Sequence, residues 1–348
     1  MLRPMPNNAP KPPVISDVAR RAGVSVPTVS RVLNGAAYVS DEKRLRVMRA
    51  IEELAFRPSA AARALVARQP KLIAVIAGNT SRYGYAETIR GIEESARAAG
   101  YTVTITVVES ADDESVERAV SLVLDQPIAG VVVLKFDPPG VAALHRIPKS
   151  IPTVSISGVR ETGVPQAVLA EADAATEVVD YLLDLGHTTV HHVRVPPSRK
   201  EDGRTTGWKR ALVARGAPVP PPVDASWEPE SGREIGRALA DDPAVTAVFC
   251  GNDEIAMGVT RGLAEKGKRV PDDVSVVGFD DHPLARMWTP PLTTVNQDFA
   301  GLGSRAYELL EGVIAGGKVR KFSSERPTVV IRESTAPPPA AAPAAPPA

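Results

Sequence analysis

The chain has 348 residues, 43% hydrophobic and 24% charged, which is ordinary for a globular protein with room for two or three domains. Its net charge of zero conceals an asymmetry, because residues 1–70 carry 12 Lys and Arg against 5 Asp and Glu while the rest carries 29 against 36. A basic front joined to an acidic body favours a polyanion-binding head on a ligand-binding body. The single cysteine, Cys250, excludes a disulfide framework and a thiol-based metal site.

The sequence predicts neither a membrane span nor an exported protein. No run of 18 or more apolar residues occurs, and the start of the chain lacks the apolar segment of a signal peptide. We therefore expect a cytoplasmic protein with no membrane partner. Residues 1–13 are rich in Pro and Asn and are expected to form a disordered arm.

Residues 14–34 predict two short helices joined by a tight turn. Ser16 is a suitable N-cap for the first helix, and Gly23 can end it in the left-handed conformation. Ser25 would cap the second helix, with Pro27 in its first turn, where a missing N–H costs nothing.

Two helices in this order form either a DNA-binding helix-turn-helix or an αα-hairpin inside a larger core. Helical spacing predicts that Val29, Val32 and Leu33 form the buried face of the second helix. A third helix is predicted over residues 40–56. The residues expected to face the first two helices are Leu45, Met48, Ile51, Glu52 and Leu54.

The string DVARRAGVS-x-x-TVSRVLN resembles, nearly residue for residue, the DNA-binding headpiece of the lactose-repressor (LacI/GalR) family of bacterial transcription regulators. The resemblance favours the helix-turn-helix over residues 14–58 and implies a homodimer on palindromic, double-stranded operator DNA, associated with the nucleoid when bound. The expected DNA-contacting residues of this headpiece are Ile15, Ser16, Ser25, Val26, Pro27, Thr28, Ser30, Arg31, Asn34 and Tyr38.

Val26 and Pro27 occupy the two variable specificity positions that the resemblance implies. They offer only apolar contact, for instance to a thymine methyl group, so base selection is expected to lean also on Ile15, Ser16, Tyr38 and DNA shape. Arg31 is the expected guanine-reading residue, and a phosphate clamp is the alternative.

Residues 59–70 form an Ala-rich segment with high helix propensity that is too short to be stable alone. The family resemblance implies a hinge helix that folds when two copies meet on the operator. Leu65 would wedge into the central minor groove, with Ala62 one turn earlier on the same face. An incidental Ala-rich linker is the alternative.

From Lys71 onward, apolar strands alternate with helices of 10–15 residues, which predicts parallel sheets covered on both faces. The predicted fold class is an all-α helix-turn-helix headpiece followed by an α/β two-lobed periplasmic-binding-protein-like domain with two doubly wound parallel sheets. This domain is expected over residues 71–333, and a disordered Pro/Ala tail over residues 334–348. The expected lobe boundaries are 71–185 with 297–324 for the first lobe, and 186–296 with 325–333 for the second.

Ligands of open α/β sheets bind beyond the carboxyl ends of the strands, so polar residues that follow apolar strands indicate a site. Asn252 follows the strand AVFC and Asp280 follows VSVVGF, whereas Asp253 is expected to be an N-cap and Asp281 a turn residue. Acceptors and donors beside an aromatic platform are what a sugar requires. With the family resemblance, the expected ligand-lining residues are Tyr83, Tyr85, Asp173, Arg204, Trp227, Asn252, Asp280 and Gln297.

An enzyme is the remote alternative. Asp280 and Asp281 could be paired carboxylates, and His187, His191 and His192 a metal cluster, but adjacent strand residues point to opposite faces. No nucleophile elbow, phosphate-binding loop or HExxH motif occurs. We therefore predict no catalytic residue, metal or cofactor.

The predicted function is that of a repressor of carbohydrate-utilisation genes, controlled by a small sugar-like effector. A regulator that responds to a phosphoprotein or a nucleobase is the alternative.

Overall fold

The computed structural model describes residues 13–33, 38–56, 70–161, 163–198 and 202–339. The expected DNA contact Asn34 and the hinge residues Ala62 and Leu65 lie outside these ranges. The chain divides into two compact units, Met1–Pro70 and Lys71–Ala348.

The first unit contains three described helices: α1 (Ile15–Ala22), α2 (Val26–Leu33) and α3 (Asp41–Glu53). Val18, Val29 and Val47, one from each helix, are fully buried at the centre of its small core. The prediction that Gly23 ends α1 is confirmed, because this residue has a φ of 63° and the following N–H returns to the carbonyl of Ala19 at 3.0 Å.

Helix α1 begins differently from the prediction that Ser16 caps it. The N-cap is Val14, two residues earlier, and the backbone N–H of Val14 donates to the Asp17 carboxylate at 2.9 Å. The acidic side chain in the first turn therefore satisfies a terminal backbone donor, and Ser16 is exposed inside the helix.

The predicted buried faces of α2 and α3 are partly wrong. Leu33 is 36% exposed, and Leu45 and Met48 are 70% and 53% exposed. The smaller side chains Val47 and Ala50 take the contact with α1 instead. The phase of α3 therefore differs from the predicted one, and Val47 and Ala50 face the core of this unit.

The second unit contains twelve strands and eight helices within its described residues. The strands are β1 (Leu72–Ala77), β2 (Thr102–Val107), β3 (Gly130–Leu134), β4 (Thr153–Ser157), β5 (Gln166–Leu169), β6 (His191–Arg194), β7 (Val223–Asp224), β8 (Ala247–Cys250), β9 (Ser275–Val277), β10 (Thr294–Asn296), β11 (Phe322–Glu325) and β12 (Thr328–Val330). The helices are α4 (Tyr83–Ala98), α5 (Asp113–Leu124), α6 (Pro138–Arg146), α7 (Glu171–Asp184), α8 (Gly203–Ala214), α9 (Pro229–Leu239), α10 (Asp253–Glu265) and α11 (Phe299–Ile314). Among the described helices, none has the length and apolar character needed to cross a membrane.

A six-stranded parallel sheet, in the order β11–β5–β4–β3–β1–β2, forms the first lobe. The alternation of side chains along β1 covers both of its faces. Ile73 and Val75 pack towards α4 and α11, whereas Ala74 and Ile76 pack towards α5 and α6. Both faces of β1 are thus buried from solvent, which explains the near-continuous apolar run of this strand.

A four-stranded parallel sheet, in the order β7–β6–β8–β9, forms the second lobe. Val248 faces α9 and α10, and its neighbour Phe249 faces α7 and α8. An antiparallel pair, β10 and β12, lies beside this sheet and contacts α7. The two predicted doubly wound parallel sheets are therefore present.

Helix α7 belongs to the second lobe, which corrects the predicted lobe boundary at residue 185. Its apolar face, including Val178 and Leu182, packs against Trp208 and Phe249. The short strand β5, which the sequence pattern did not reveal, completes the first sheet before the chain crosses over. The crossover therefore falls near residue 170 rather than 185.

The ordered chain also continues past residue 334, where a disordered tail was expected. Ser334 is buried, and its hydroxyl donates to the carbonyl of Val276 at 2.6 Å. His187 contacts the carbonyl of Ala336 at 3.0 Å. These polar contacts hold the segment on the second lobe although it has little apolar character.

Glycines let α9 and α10 approach each other closely. A Cβ atom placed on Gly236 would lie 2.3 Å from the carbonyl oxygen of Val259, and one on Gly258 would lie 2.1 Å from that of Pro229. The backbones of the two helices are therefore in direct contact, and larger residues would force them apart.

We expect Gly236→Ala to destabilise the protein, although alanine normally stabilises a helix interior by about 1 kcal/mol relative to glycine. The added methyl group would meet backbone that cannot retreat, so the free energy of unfolding should fall by about 1–3 kcal/mol in urea denaturation. Gly312→Ala is the control, because its nearest neighbour is the Val319 side chain at 3.0 Å, and it should be neutral or stabilising. Equal stability of the two variants would contradict this account.

Candidate functional site

The first unit presents an exposed face around the start of α2. Val26 is exposed, as are its neighbours Ser25 and Pro27, and Arg31 is exposed one turn further along. Tyr38 is 98% exposed. Ile15, Thr28 and Ser30 are half-buried. A helix N-terminus with small exposed side chains and one arginine is able to enter a DNA groove.

The second unit has a cleft between its two lobes, at the carboxyl ends of both sheets. It contains about 730 Å³ of empty space, its open mouth included. Six of the eight predicted ligand residues line it: Tyr83, Tyr85, Arg204, Trp227, Asn252 and Asp280.

Arg204, in the first turn of α8, is the central cation of the cleft. Its guanidinium lies 3.0 Å from the Glu171 carboxylate and 3.4 Å from that of Asp280. It also donates to the carbonyl of Gly251 and lies over the Phe279 ring at 4.6 Å. Burial opposes the charge of Arg204, but the two carboxylates outweigh this effect and raise its pKa.

Asp280 lies three residues after the end of β9 in a left-handed backbone conformation, with a φ of 107°. Burial raises the pKa of its carboxyl group to about 7, although Arg204 counteracts part of this rise. Gln297 donates to the carboxylate at 2.8 Å. Asp280 is thus a buried acceptor whose ionisation is finely balanced near neutral pH.

Asn252, rather than Asp253 as expected, is the N-cap of α10. Its side-chain oxygen accepts the N–H of Ile255 at 2.9 Å. The Asp253 carboxylate points inward, where it accepts from the Thr294 hydroxyl and the His282 N–H at 2.6 Å each. Asn252 therefore combines a capping role with a place in the cleft lining.

The two consecutive aspartates after β9 have different partners. Asp280 faces Arg204, whereas Asp281 forms an ion pair with Arg332 at 2.6 Å and accepts from Asn296 at 3.0 Å. With a φ of 51°, Asp281 also occupies a turn conformation. The two carboxylates do not form a pair that could act on one substrate.

Aromatic side chains form the walls of the cleft. Trp227 of the second lobe carries the Arg82 guanidinium over its ring at 4.7 Å, and Tyr83 of the first lobe meets the His282 ring edge-on at 4.8 Å. The Tyr85 hydroxyl donates to Asp137, so this tyrosine offers its ring rather than its hydroxyl.

Two predicted ligand residues lie elsewhere. Asp173 is 63% exposed on the outer side of α7 and forms an ion pair with Arg210 at 2.8 Å. Gln297 is buried and donates to the Asp280 carboxylate. Asp173 is therefore not among the residues that line the cleft in this structure, whereas Glu171, the first residue of α7, is.

Sequence reasoning missed five charged residues of the cleft, namely Arg82, Lys135, Glu171, Asp202 and Glu254. Lys135 is 2% exposed and pairs with Glu161 at 2.8 Å. Lys135 and Glu171 both follow a strand closely, which is the signal that identified Asn252 and Asp280. Glu171 was missed because β5 was not recognised as a strand.

The histidines have structural partners. His192 is buried and contacts the carbonyl of Phe249 at 2.9 Å, and burial lowers its pKa to about 4. His187 contacts the hydroxyl of Thr246 at 2.9 Å. Within the part of the chain that the structure describes, His, Cys, Asp and Glu form no group of three or more suited to a metal ion.

Comparison with known proteins gives two family matches. The profile of bacterial regulatory proteins of the lacI family matches residues 14–59, and that of a periplasmic binding protein-like domain matches residues 179–335. The HTH-type transcriptional repressor PurR of Pectobacterium carotovorum subsp. carotovorum (strain PC1) is 34% identical over 331 residues, which span 92% of this chain and 96% of PurR.

Solved structures give the same result. The lac repressor dimer bound to operator and the anti-inducer ONPF matches with a TM-score of 0.87 and 29% identity, covering 94% of this chain and 100% of that one. The complex of the transcriptional regulator CelR with cellobiose matches with a TM-score of 0.69 and 27% identity, covering 92% and 99%. These matches confirm the predicted fold class.

The ionisation of Asp280 predicts a pH dependence of stability. Its pKa is about 7 in the folded protein and close to 4 in an unfolded chain. Between these values the folded state holds a proton that the unfolded state has lost, so this group's contribution to stability falls as the pH rises from about 4 to about 7.

We expect the free energy of unfolding of the wild type, measured relative to Asp280→Asn, to decrease over this pH range and to level off above it. Chemical denaturation at a series of pH values measures the difference. A difference that stays constant or increases with pH would contradict the raised pKa of Asp280.

Proposed function

Because the chain belongs to the LacI family of bacterial regulatory proteins, we propose that it is a homodimeric repressor of carbohydrate-utilisation genes with a sugar-like effector. It acts in the cytoplasm on a palindromic operator. Its relatives are transcriptional regulators rather than enzymes, as predicted.

The exposed start of α2 supports the DNA-binding part of the proposal. Val26 and Pro27 supply apolar contact to base edges, and Arg31 supplies a planar guanidinium that matches the acceptors of guanine. The apolar core of Val18, Val29 and Val47 orients these side chains. The excess of positive charge in residues 1–70 attracts the DNA backbone.

The observation that carries the effector part is that Arg204, Asp280, Asn252 and Trp227 all line one cleft. Hydroxyl groups require both donors and acceptors, and the C–H face of a sugar requires a flat apolar surface. Residues of both lobes line the cleft, so a bound ligand stabilises one lobe arrangement over others. The change reaches the DNA-binding unit through residues 59–70.

The 34% identity to PurR favours a purine-type regulator as the second candidate. A nucleobase would also stack on Trp227 and pair with Arg204 and Asp280. The two candidates differ in the ligand that changes operator affinity, so one titration distinguishes them.

We expect one sugar from a panel of mono- and disaccharides to change operator affinity by about 5–150-fold, the range of ordinary allosteric coupling. Fluorescence anisotropy with DNA from upstream of the protein's own gene measures this change and its sign. In Trp227→Ala the response should be weakened because the apolar platform is lost. A response to hypoxanthine or guanine but to no sugar would replace the sugar proposal with the purine candidate.

We expect Arg31→Ala to weaken operator binding by about 1–3 kcal/mol and to relax the preference at one base pair. Arg46→Ala is the control, because it removes the same charge from an exposed position on α3. Anisotropy titrations on operator and random DNA compare the variants. If Arg31→Ala weakens binding to operator and to random DNA by the same factor, Arg31 contacts a phosphate and does not read guanine.

A further inference from the structure

Glu171 begins α7 at the point where the chain passes from the first lobe to the second. It is 6% exposed and lines the cleft. A Cβ atom placed on Gly158, which follows β4 of the first lobe, would lie 2.6 Å from the Glu171 carboxylate. One placed on Gly203, which begins α8 of the second lobe, would lie 2.9 Å from its Cβ. Two glycines, one from each lobe, thus make room for this side chain.

The Glu171 carboxylate shares one guanidinium with a second carboxylate. Its Oε1 lies 3.0 Å from Arg204, and the Asp280 oxygen lies 3.4 Å from the same nitrogen. Arg204 also donates to the carbonyl of Gly251. Its remaining N–H groups are too few to fill the acceptor sites of two carboxylates, each of which has about four. Burial raises the pKa of Glu171, and Arg204 opposes this rise.

We propose that Glu171 is a further effector-binding residue, which accepts a hydrogen bond from a ligand hydroxyl beside Asp280 and thereby selects an uncharged polyhydroxyl ligand over its anionic form. This inference rests on the proposed function. The family resemblance placed the expected ligand-lining carboxylate at Asp173, two residues further along the same helix.

The charge balance of the cleft supports this selectivity. Among the described lining residues, the carboxylates are Glu171, Asp202, Glu254 and Asp280, and the cations are Arg82, Lys135 and Arg204. Lys135 already has Glu161 as its partner. The Glu171 and Asp280 carboxylates beside Arg204 would therefore repel a phosphate or carboxylate on the ligand, whereas they would accept a hydrogen bond from a hydroxyl group.

The test compares Glu171→Gln with Asp173→Asn, a matched exchange on the same helical turn outside the cleft. Isothermal titration calorimetry with D-glucose, D-galactose and cellobiose identifies a sugar that the wild type binds. Glu171→Gln should weaken its binding by about 10–100-fold, the effect of losing a hydrogen bond to a charged group, and Asp173→Asn should leave it unchanged. Glucose 6-phosphate and galactose 6-phosphate should bind more weakly than the parent sugars in the wild type.

A pH profile separates ligand contact from a purely structural role. Sugar affinity should rise as Asp280 ionises, and in Glu171→Gln the midpoint of this rise should move to lower pH because Arg204 then serves Asp280 alone. The titratable and charged groups that act on Asp280 are Arg204, Glu171, Glu254, Asp253 and Tyr83.

Urea denaturation of each variant, measured without sugar, reports whether it folds, and Glu171→Asp replaces Glu171→Gln if it does not. Unchanged sugar affinity and an unchanged midpoint in the folded variant would overturn the role of Glu171 and leave the proposed function intact. Tighter binding of the phosphates would overturn the selectivity. If the wild type binds none of the sugars, the proposed function fails, and this inference fails with it.

Discussion

The buried guanidinium of Arg204 is the interaction on which the effector cleft depends. It joins three separate stretches of chain: the crossover at Glu171, the end of β8 at Gly251, and the end of β9 at Asp280. Removing it would leave two carboxylates buried without their cation, which is far more costly than losing an exposed ion pair. The position of the cleft acceptors is therefore set by one residue of α8.

Contacts between the lobes at the mouth of the cleft are of a weaker kind. Arg82 stacks on Trp227, and Tyr83 meets His282 edge-on. Such contacts contribute about 0.5–2 kcal/mol each, so a ligand that binds between the lobes can replace them. The buried ion pairs of Arg204 are thus combined with weaker contacts between the lobes at the mouth of the cleft. This combination suits a domain whose closure is coupled to binding at a second site.

Helix phase shows where sequence reasoning reached its limit. The apolar pattern of α3 correctly predicted a helix, but Leu45 and Met48 are exposed and the smaller Val47 and Ala50 are buried. Likewise, the first turn of α7 offers two carboxylates, and only the position of the crossover after β5 decides that Glu171 faces the cleft and Asp173 the solvent. In both cases the packing of the neighbouring element, and not the type of the residue, decides which side chain is buried.

The sequence by itself determined the family, the helix-turn-helix, the parallel sheets and six of the residues that line the cleft, because motifs and strand ends are local features of the chain. The tertiary structure alone decided which lobe holds α7, how residues 334–336 attach to the second lobe, and which carboxylates share Arg204. These properties depend on contacts between residues far apart in sequence, and no local pattern carries that information.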